Sequence, residues 1–192
     1  MTHIHHDSSN GFQRRLLCES SASFSINAPT SMIDITEWLF TLGDEEYINC
    51  TPRSKAHLSA GFTRTPDGRR MSINVEDIGG ALIVEHYVED ISEKLHCRVH
   101  SISDNLIGRE YTKTEVVWEL VADHKGDGYH DFTNNVWVWT TPNYDRYMEA
   151  HRIPYEEARH DYQSAVSVHN AEETPFFAAS IERLALRAKA LS

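Results

Sequence analysis

The sequence lacks the features that would direct a chain to a membrane, to a nucleic acid or to an oxidising compartment. No apolar run reaches the roughly 18 residues that a membrane-spanning helix needs, and the N-terminal segment lacks the apolar stretch of a signal peptide. The 192 residues carry a net charge of −11, which disfavours a phosphate-backbone partner. Only three cysteines are present, and their spacing fits no zinc or redox motif. We therefore expect a cytoplasmic protein with reduced cysteines that binds neither membranes nor nucleic acids.

Two common catalytic motifs are also missing. The chain has no G-x-S-x-G segment, so a serine hydrolase of the α/β type is not predicted. It has no glycine-rich phosphate loop either, because the "DIGG" segment that begins at Asp77 is typical of a turn between two strands. The chemistry must therefore be sought among the acidic residues, the tyrosines and the twelve histidines.

The start "MTHIHHDSSNG" is polar, and residues 1–20 are predicted to be a poorly ordered N-terminal segment, which leaves residues 21–192 as one domain. A strand is expected at 21–29, and the apolar spacing at 34–50 predicts a helix that ends near Gly43. About six alternating segments with glycine- or asparagine-rich turns between them predict antiparallel hairpins. These segments cover residues 60–65, 69–77, 80–90, 93–102, 113–122 and 131–142.

After Pro142 the pattern becomes helical, and Pro175 either opens a final helix or lies within a longer one. An amphipathic helix must bury its apolar stripe, and the concave face of a curved sheet offers the surface. The order therefore predicts an α+β helix-grip fold with an internal cavity, which resembles the START/Bet v 1-like superfamily. The alternative is the cone of nuclear transport factor 2, which the leading strand disfavours.

Strand alternation places Glu85 and Tyr87 on one face of their strand and His86 on the other. Arg98 likewise lies opposite the apolar residues of the next strand. The pattern leaves open which of these faces lines the cavity. Trp118 lies on a strand with core-like alternation, and an aromatic wall there favours a flat ligand.

A spacing of four residues puts His169 and Glu173 on one face of the last helix, where both can bind one ion. His57 precedes the strands at the expected mouth of the cavity, and Glu85 lies in mid-strand, with Glu89 as its alternative. Two imidazoles and two carboxylates suit zinc, or manganese or iron, better than copper. The sequence thus predicts a divalent metal, most simply zinc, held by His57, Glu85, His169 and Glu173.

The segments "EEYINCTPRSKAHL", "GGALIVEHYVED" and "HNAEE" together resemble the 2,4-diacetylphloroglucinol hydrolase family. That resemblance implies a zinc-dependent carbon–carbon hydrolase on a Bet v 1-like fold. It assigns the first histidine ligand to His57, the strand ligand to Glu85 or Glu89, and the last two ligands to His169 and Glu173. Tyr47 matches a tyrosine that precedes the first histidine in the family.

Two functions are therefore expected. The first is a metal-dependent hydrolase or lyase that cleaves a carbon–carbon bond in a small aromatic or polyketide-like molecule. In it, Tyr47, Tyr87 or His86 would protonate the departing carbon, and Trp118 and Arg98 would contact the substrate. The alternative is a metal-free polyketide cyclase or dehydratase, or a carrier of small hydrophobic ligands. A homodimer is compatible with either.

Overall fold

A computed structural model describes residues 12–126 and 129–190. These residues form one seven-stranded antiparallel sheet in the order β1-β7-β6-β5-β4-β3-β2, together with three short α-helices and one long one. The strands are β1 Leu16–Asn27, β2 His57–Arg64, β3 Arg70–Ile78, β4 Ala81–Ser92, β5 His96–Ile107, β6 Glu110–Gly126 and β7 Tyr129–Thr140. The α-helices are α1 Ile35–Thr41, α2 Asp44–Ile48, α3 Pro142–His151 and α4 Tyr155–Ala190. This is the α+β helix-grip fold, so the predicted fold class is confirmed.

The helix boundaries follow local chemistry. The side chain of Asp34 accepts a hydrogen bond from the backbone N–H of Glu37 and starts α1. Thr141 caps α3 in the same way, and Pro142 occupies the first turn, where its missing N–H costs nothing. Arg152 ends α3 in the left-handed conformation, with φ 56°. Pro175 lies within α4 and does not open a separate helix.

The first strand begins earlier than the sequence pattern predicted. Leu16–Ser20 already belong to β1, which pairs with β7 over its whole length. Leu17 and Cys18 are fully buried there, because β1 lies under α4. The predicted disorder of the remaining N-terminal residues falls largely on 1–11, which lie outside the described residues.

An aromatic cluster fills the space between the sheet and the helices near the middle of α4. Phe177 of α4 lies at its centre, with ring centroids 5.1 Å from Trp38 of α1 and 5.7 Å from Trp118 of β6. This cluster holds α4 against the sheet at one point. Towards the N-terminal half of α4, a narrow cavity remains between the helix and strands β3, β4, β6 and β7.

Candidate metal centre

Four side chains from three elements meet in the protein interior. His57 is the first residue of β2, Glu76 lies on β3, and His169 and Glu173 come from α4. All four residues are at most 8% exposed. One ligand-type atom from each lies within 4.8 Å of the corresponding atoms of the other three. The structure therefore contains a buried His₂Glu₂ group of a kind that could hold a metal ion.

The imidazole nitrogens of this group lie 3.0–3.6 Å from the carboxylate oxygens. Nε2 of His57 lies 3.0 Å from Oε2 of Glu173 and 3.6 Å from Oε1 of Glu76. Nε2 of His169 lies 3.2 Å from Oε2 of Glu173 and 3.5 Å from Oε2 of Glu76. Ligand bonds of about 2.1 Å give a tetrahedron with edges of about 3.4 Å. The four distances bracket that value, but they involve both carboxylate oxygens of Glu76, so an ion bound by one atom of each residue requires that carboxylate to turn.

The surroundings of His57 orient it as a ligand. Its Nδ1 lies 2.8 Å from the carbonyl oxygen of Tyr47, and the Tyr47 ring stacks on the imidazole at 3.8 Å. An Nδ1–H donated to that carbonyl leaves a lone pair on Nε2, as in many metal-bound histidines. Burial lowers the pKa of His57, which favours this neutral form. The Nε2 lone pair then faces a carboxylate oxygen of Glu173, and only a proton or a cation between them removes the repulsion.

His169 shows the same need for a cation. Burial opposes its charged form, but Glu173 and Glu76 outweigh this effect and raise the pKa of His169 to about 11. The two imidazoles in turn outweigh burial at Glu173 and lower its pKa to about 2. Neither carboxylate lies in the direction of an Nε2–H bond, so Nε2 has no hydrogen-bond partner within 12–126 and 129–190. Glu76 and Glu173 therefore favour a positive charge at this position, but the orientation of the His169 ring gives its Nε2 no hydrogen bond to either carboxylate.

Other side chains hold the two carboxylates in place. The hydroxyl of Tyr47 donates to Oε1 of Glu76. Asn134 of β7 donates from Nδ2 to Oε1 of Glu173 at 3.0 Å, and its own Oδ1 accepts from Nε1 of Trp118 at 2.7 Å. Such outer partners fix the direction in which ligands point. Sequence reasoning missed Asn134, which lies in the "FTNNVW" strand without a distinguishing pattern.

The strand carboxylate in the group is Glu76, whereas the sequence analysis expected Glu85. Glu76 is the residue directly paired with His57 across the β2–β3 ladder. Glu85 lies one strand further on, opposite Asn74, and accepts a hydrogen bond from Tyr87 at 2.7 Å. The sequence did contain a signal for Glu76. A β-hairpin that turns at "TPDGRR" pairs His57 with a position within one residue of Glu76.

Three other candidates lie away from the group. Glu89 binds Arg70 through its carboxylate at 2.8 Å near the far end of β4. His86 and Arg98 face the outer side of the sheet, where they bind Asp104 and Asp90 respectively. The reason is strand alternation: Glu85 and Tyr87 point inwards from β4, so His86 between them points outwards. The structure therefore gives His86 and Arg98 no contact with the cavity.

The cavity beside the group has a volume of about 40 Å³, and Tyr87 and Trp118 form part of its wall, as expected. Burial and the nearby Glu76 raise the pKa of Glu85 well above its usual range, which favours its neutral acid form. Burial also raises the pKa of Tyr87. The remaining lining residues are mostly apolar and include Ile78, Val116, Val136, Val138 and Val166.

Comparison with solved structures supports the fold. The chain is similar to the ZhuI aromatase/cyclase from Streptomyces sp. R1128, with a TM-score of 0.62, 14% sequence identity and coverage of 89% of this chain and 95% of that one. A START superfamily protein from Mycobacterium smegmatis matches with a TM-score of 0.47 and 14% identity over 91% of this chain and 99% of that one. A protein from Thermus thermophilus matches with a TM-score of 0.49 and 16% identity over 88% and 98%.

The predicted helix-grip fold is therefore shared with a solved aromatase/cyclase of 14% identity. No family model matches the chain, and no curated protein matches it. Membership of the 2,4-diacetylphloroglucinol hydrolase family accordingly stays a prediction. Within the part of the chain that the structure describes, no helix is both long and apolar enough to cross a membrane.

Proposed function

We propose that the protein is a metal-dependent hydrolase or lyase that cleaves a carbon–carbon bond in a small aromatic or polyketide-like ketone. The observation that carries this proposal is the buried group of His57, Glu76, His169 and Glu173, in which one ligand-type atom of each residue lies within 4.8 Å of the others. Burying four ionisable side chains together is expensive unless a cation compensates them. In contrast, a histidine and a glutamate four residues apart on an exposed helix face are hydrated and need no compensating cation.

Zinc held by these four residues would have to accept a further ligand, and it would then polarise a substrate carbonyl or lower the pKa of a water molecule towards neutrality. The protein's own residues have three tasks. Tyr47 and Asn134 hold the carboxylates of Glu76 and Glu173 in position. Glu85, as a neutral acid bonded to Tyr87, holds a proton that it can give to the departing carbon across the cavity. Trp118 provides a flat wall for a ring.

The cavity is too small to hold an aromatic substrate unless its walls move. A volume of about 40 Å³ accommodates a few water molecules, whereas a cavity of roughly 150 Å³ is needed to hold benzene. The walls must therefore move apart when an aromatic substrate binds. The valines from β6, β7 and α4 are the side chains whose displacement enlarges it.

The test is elemental analysis of the untagged full chain, followed by turnover of a panel of acylphenols. An untagged protein matters because His3, His5 and His6, outside the described residues, already resemble a tag. We expect about one divalent ion per chain, lost together with turnover in His169→Ala. His160→Ala is the matched control, since His160 is exposed on the same helix. Full turnover after the metal has been removed with a chelator would disprove the proposal.

A metal-free cyclase or dehydratase, or a carrier of small hydrophobic ligands, is the second candidate. The likeness to an aromatase/cyclase favours it over the first candidate at the level of the fold. In this alternative the His169–Glu173 ion pair and neutral Glu85 perform acid–base chemistry directly. Metal content of the purified protein separates the two enzymes, and a lack of turnover on any ketone would leave the carrier. A homodimer is compatible with each.

A further inference from the structure

The cavity has a second polar end, on the side away from the His₂Glu₂ group. Tyr162 and His169 both line the cavity and both come from α4. Seven residues separate them, which is about two turns, or roughly 10 Å along the helix. Thr114 of β6 lines the cavity beside Tyr162. Valines and Trp118 lie among the other lining residues, so the polar pair of Tyr162 and Thr114 belongs to a largely apolar wall.

Some of the hydrogen-bonding groups at this second end have no partner among the described residues. Oγ1 of Thr114 accepts a hydrogen bond from Nδ2 of Asn105 at 3.0 Å. The Tyr162 hydroxyl is buried and has no partner of acceptable geometry among the residues that the structure describes. Even if the hydroxyls of Thr114 and Tyr162 approach each other and bond, they share only one of their two hydrogens. One O–H donor is left over at the cavity wall.

Two further buried polar atoms close to this donor in the sheet have no hydrogen-bond partner in the described part of the chain. Oδ1 of Asn105 and Oγ1 of Thr112 are also buried without a partner, again among the described residues. These two side chains do not line the cavity, whereas the Tyr162 hydroxyl belongs to a lining residue. Buried polar groups are normally paired, so an unpaired hydroxyl of a cavity-lining residue indicates a missing polar ligand or water. Burial also raises the pKa of Tyr162, which keeps its hydroxyl protonated and able to donate.

We propose that Tyr162 and Thr114 form a subsite that binds an oxygen atom on the far side of the substrate ring. The inference rests on the proposed function for its other end, where the substrate carbonyl meets the His₂Glu₂ group. The O–H donor that is left over at this end needs an oxygen acceptor. A flat ring on the Trp118 wall, with its carbonyl at the His₂Glu₂ group, would present such an oxygen from the opposite side of the ring. The substrate class is therefore an aryl ketone with a hydroxyl across the ring.

The experiment compares the binding of 4′-hydroxyacetophenone and acetophenone to the zinc-loaded full chain by isothermal titration calorimetry. We expect the hydroxylated probe to bind about 10- to 100-fold more tightly, the range for one buried hydrogen bond. Tyr162→Phe and Thr114→Val should each bring the ratio towards one without changing the zinc content, whereas Thr114→Ser should keep it. Tyr111→Phe is the control, because Tyr111 is an exposed tyrosine near the start of the same strand as Thr114. Circular dichroism and the melting temperature show whether each variant folds.

A wild-type ratio near one, no binding of either probe, or an unchanged ratio in Tyr162→Phe would each overturn the subsite and leave an ordered water as the partner of Tyr162. These outcomes are distinct from failure of the proposed function. Zinc-dependent turnover without a preference for the hydroxyl refutes the subsite alone. A protein that binds no zinc but still prefers the hydroxylated probe refutes the metal-dependent reaction and keeps the subsite.

Discussion

His57 and Glu76 are directly paired across the β2–β3 ladder, with Nε2 of the histidine 3.6 Å from Oε1 of the glutamate. One hairpin therefore supplies half of the candidate metal centre. The other half, His169 and Glu173, comes from one face of α4. The centre forms only when the helix lies across the concave face of the sheet, so the metal site and the packing of α4 depend on each other.

Glu76→Gln should weaken zinc binding by more than about 100-fold, because it removes a ligand and not merely a supporting contact. Glu85→Gln should leave zinc affinity within a few-fold and instead reduce turnover, since Glu85 is placed to hold a proton. Competition with a chromophoric chelator measures both affinities. The reverse result, with zinc lost in Glu85→Gln and kept in Glu76→Gln, would make Glu85 the strand ligand after all.

Asn134→Ala should lower zinc affinity by about 10- to 100-fold, the usual effect of losing a partner that orients a ligand. The variant removes the hydrogen bond to Glu173 and leaves Nε1 of Trp118 unpaired. Asn135→Ala is the matched control, because Asn135 is the next residue of β7 and points to the other face. Equal zinc affinity in both variants would show that Asn134 has no role in positioning Glu173.

Zinc binding at pH 7 should release protons. The pKa of His169 is raised to about 11 in the metal-free protein, so its imidazole is charged at pH 7 and zinc must displace that proton. The apparent affinity should therefore rise with pH up to about 11. Calorimetry in two buffers with different ionisation enthalpies measures the protons released. No release would mean that zinc binds elsewhere.

The same pKa shift gives a sign for the stability of the metal-free protein. The folded-state pKa of His169 lies above its ordinary value of 6.5. Its contribution to stability is therefore complete below pH 6.5 and declines as the pH rises towards 11. Denaturant unfolding of the chelator-treated protein between pH 6 and 10 measures this decline. The slope from this site should disappear in His169→Ala.

Val166→Ala should enlarge the cavity and increase the affinity for acylphenols if the small volume limits binding. Removing two buried methyl groups should lower the free energy of unfolding by about 1–2 kcal/mol. Val168→Ala is the control, because Val168 lies on the same helix and is 69% exposed. Tighter acylphenol binding in Val166→Ala alone would support an opening cavity. Weaker binding would show that Val166 itself contacts the ligand.

The local pattern of the sequence was sufficient for the fold class and for the helical half of the site. Alternating segments with turn residues between them specify hairpins, and a long amphipathic helix after them must cover the sheet. The spacing of His169 and Glu173 is likewise a local property, since positions four apart share a helix face whatever surrounds them. These features depend on neighbours in the chain, so a single sequence reveals them.

The tertiary structure decided which strand carboxylate joins His169 and Glu173 in the candidate metal centre. Glu76 and Glu85 are both buried, inward-facing residues of adjacent strands, and alternation alone does not rank them. The choice depends on which strand lies beside His57, on an irregularity in the β2–β3 register between His57 and Ser59, and on where α4 crosses the sheet. The tertiary structure also decided which face of β4 lines the cavity. Both faces of that strand carry polar and apolar residues, so its orientation depends on the helix that packs against the sheet. Both outcomes depend on contacts between residues far apart in the chain, which the sequence pattern does not contain.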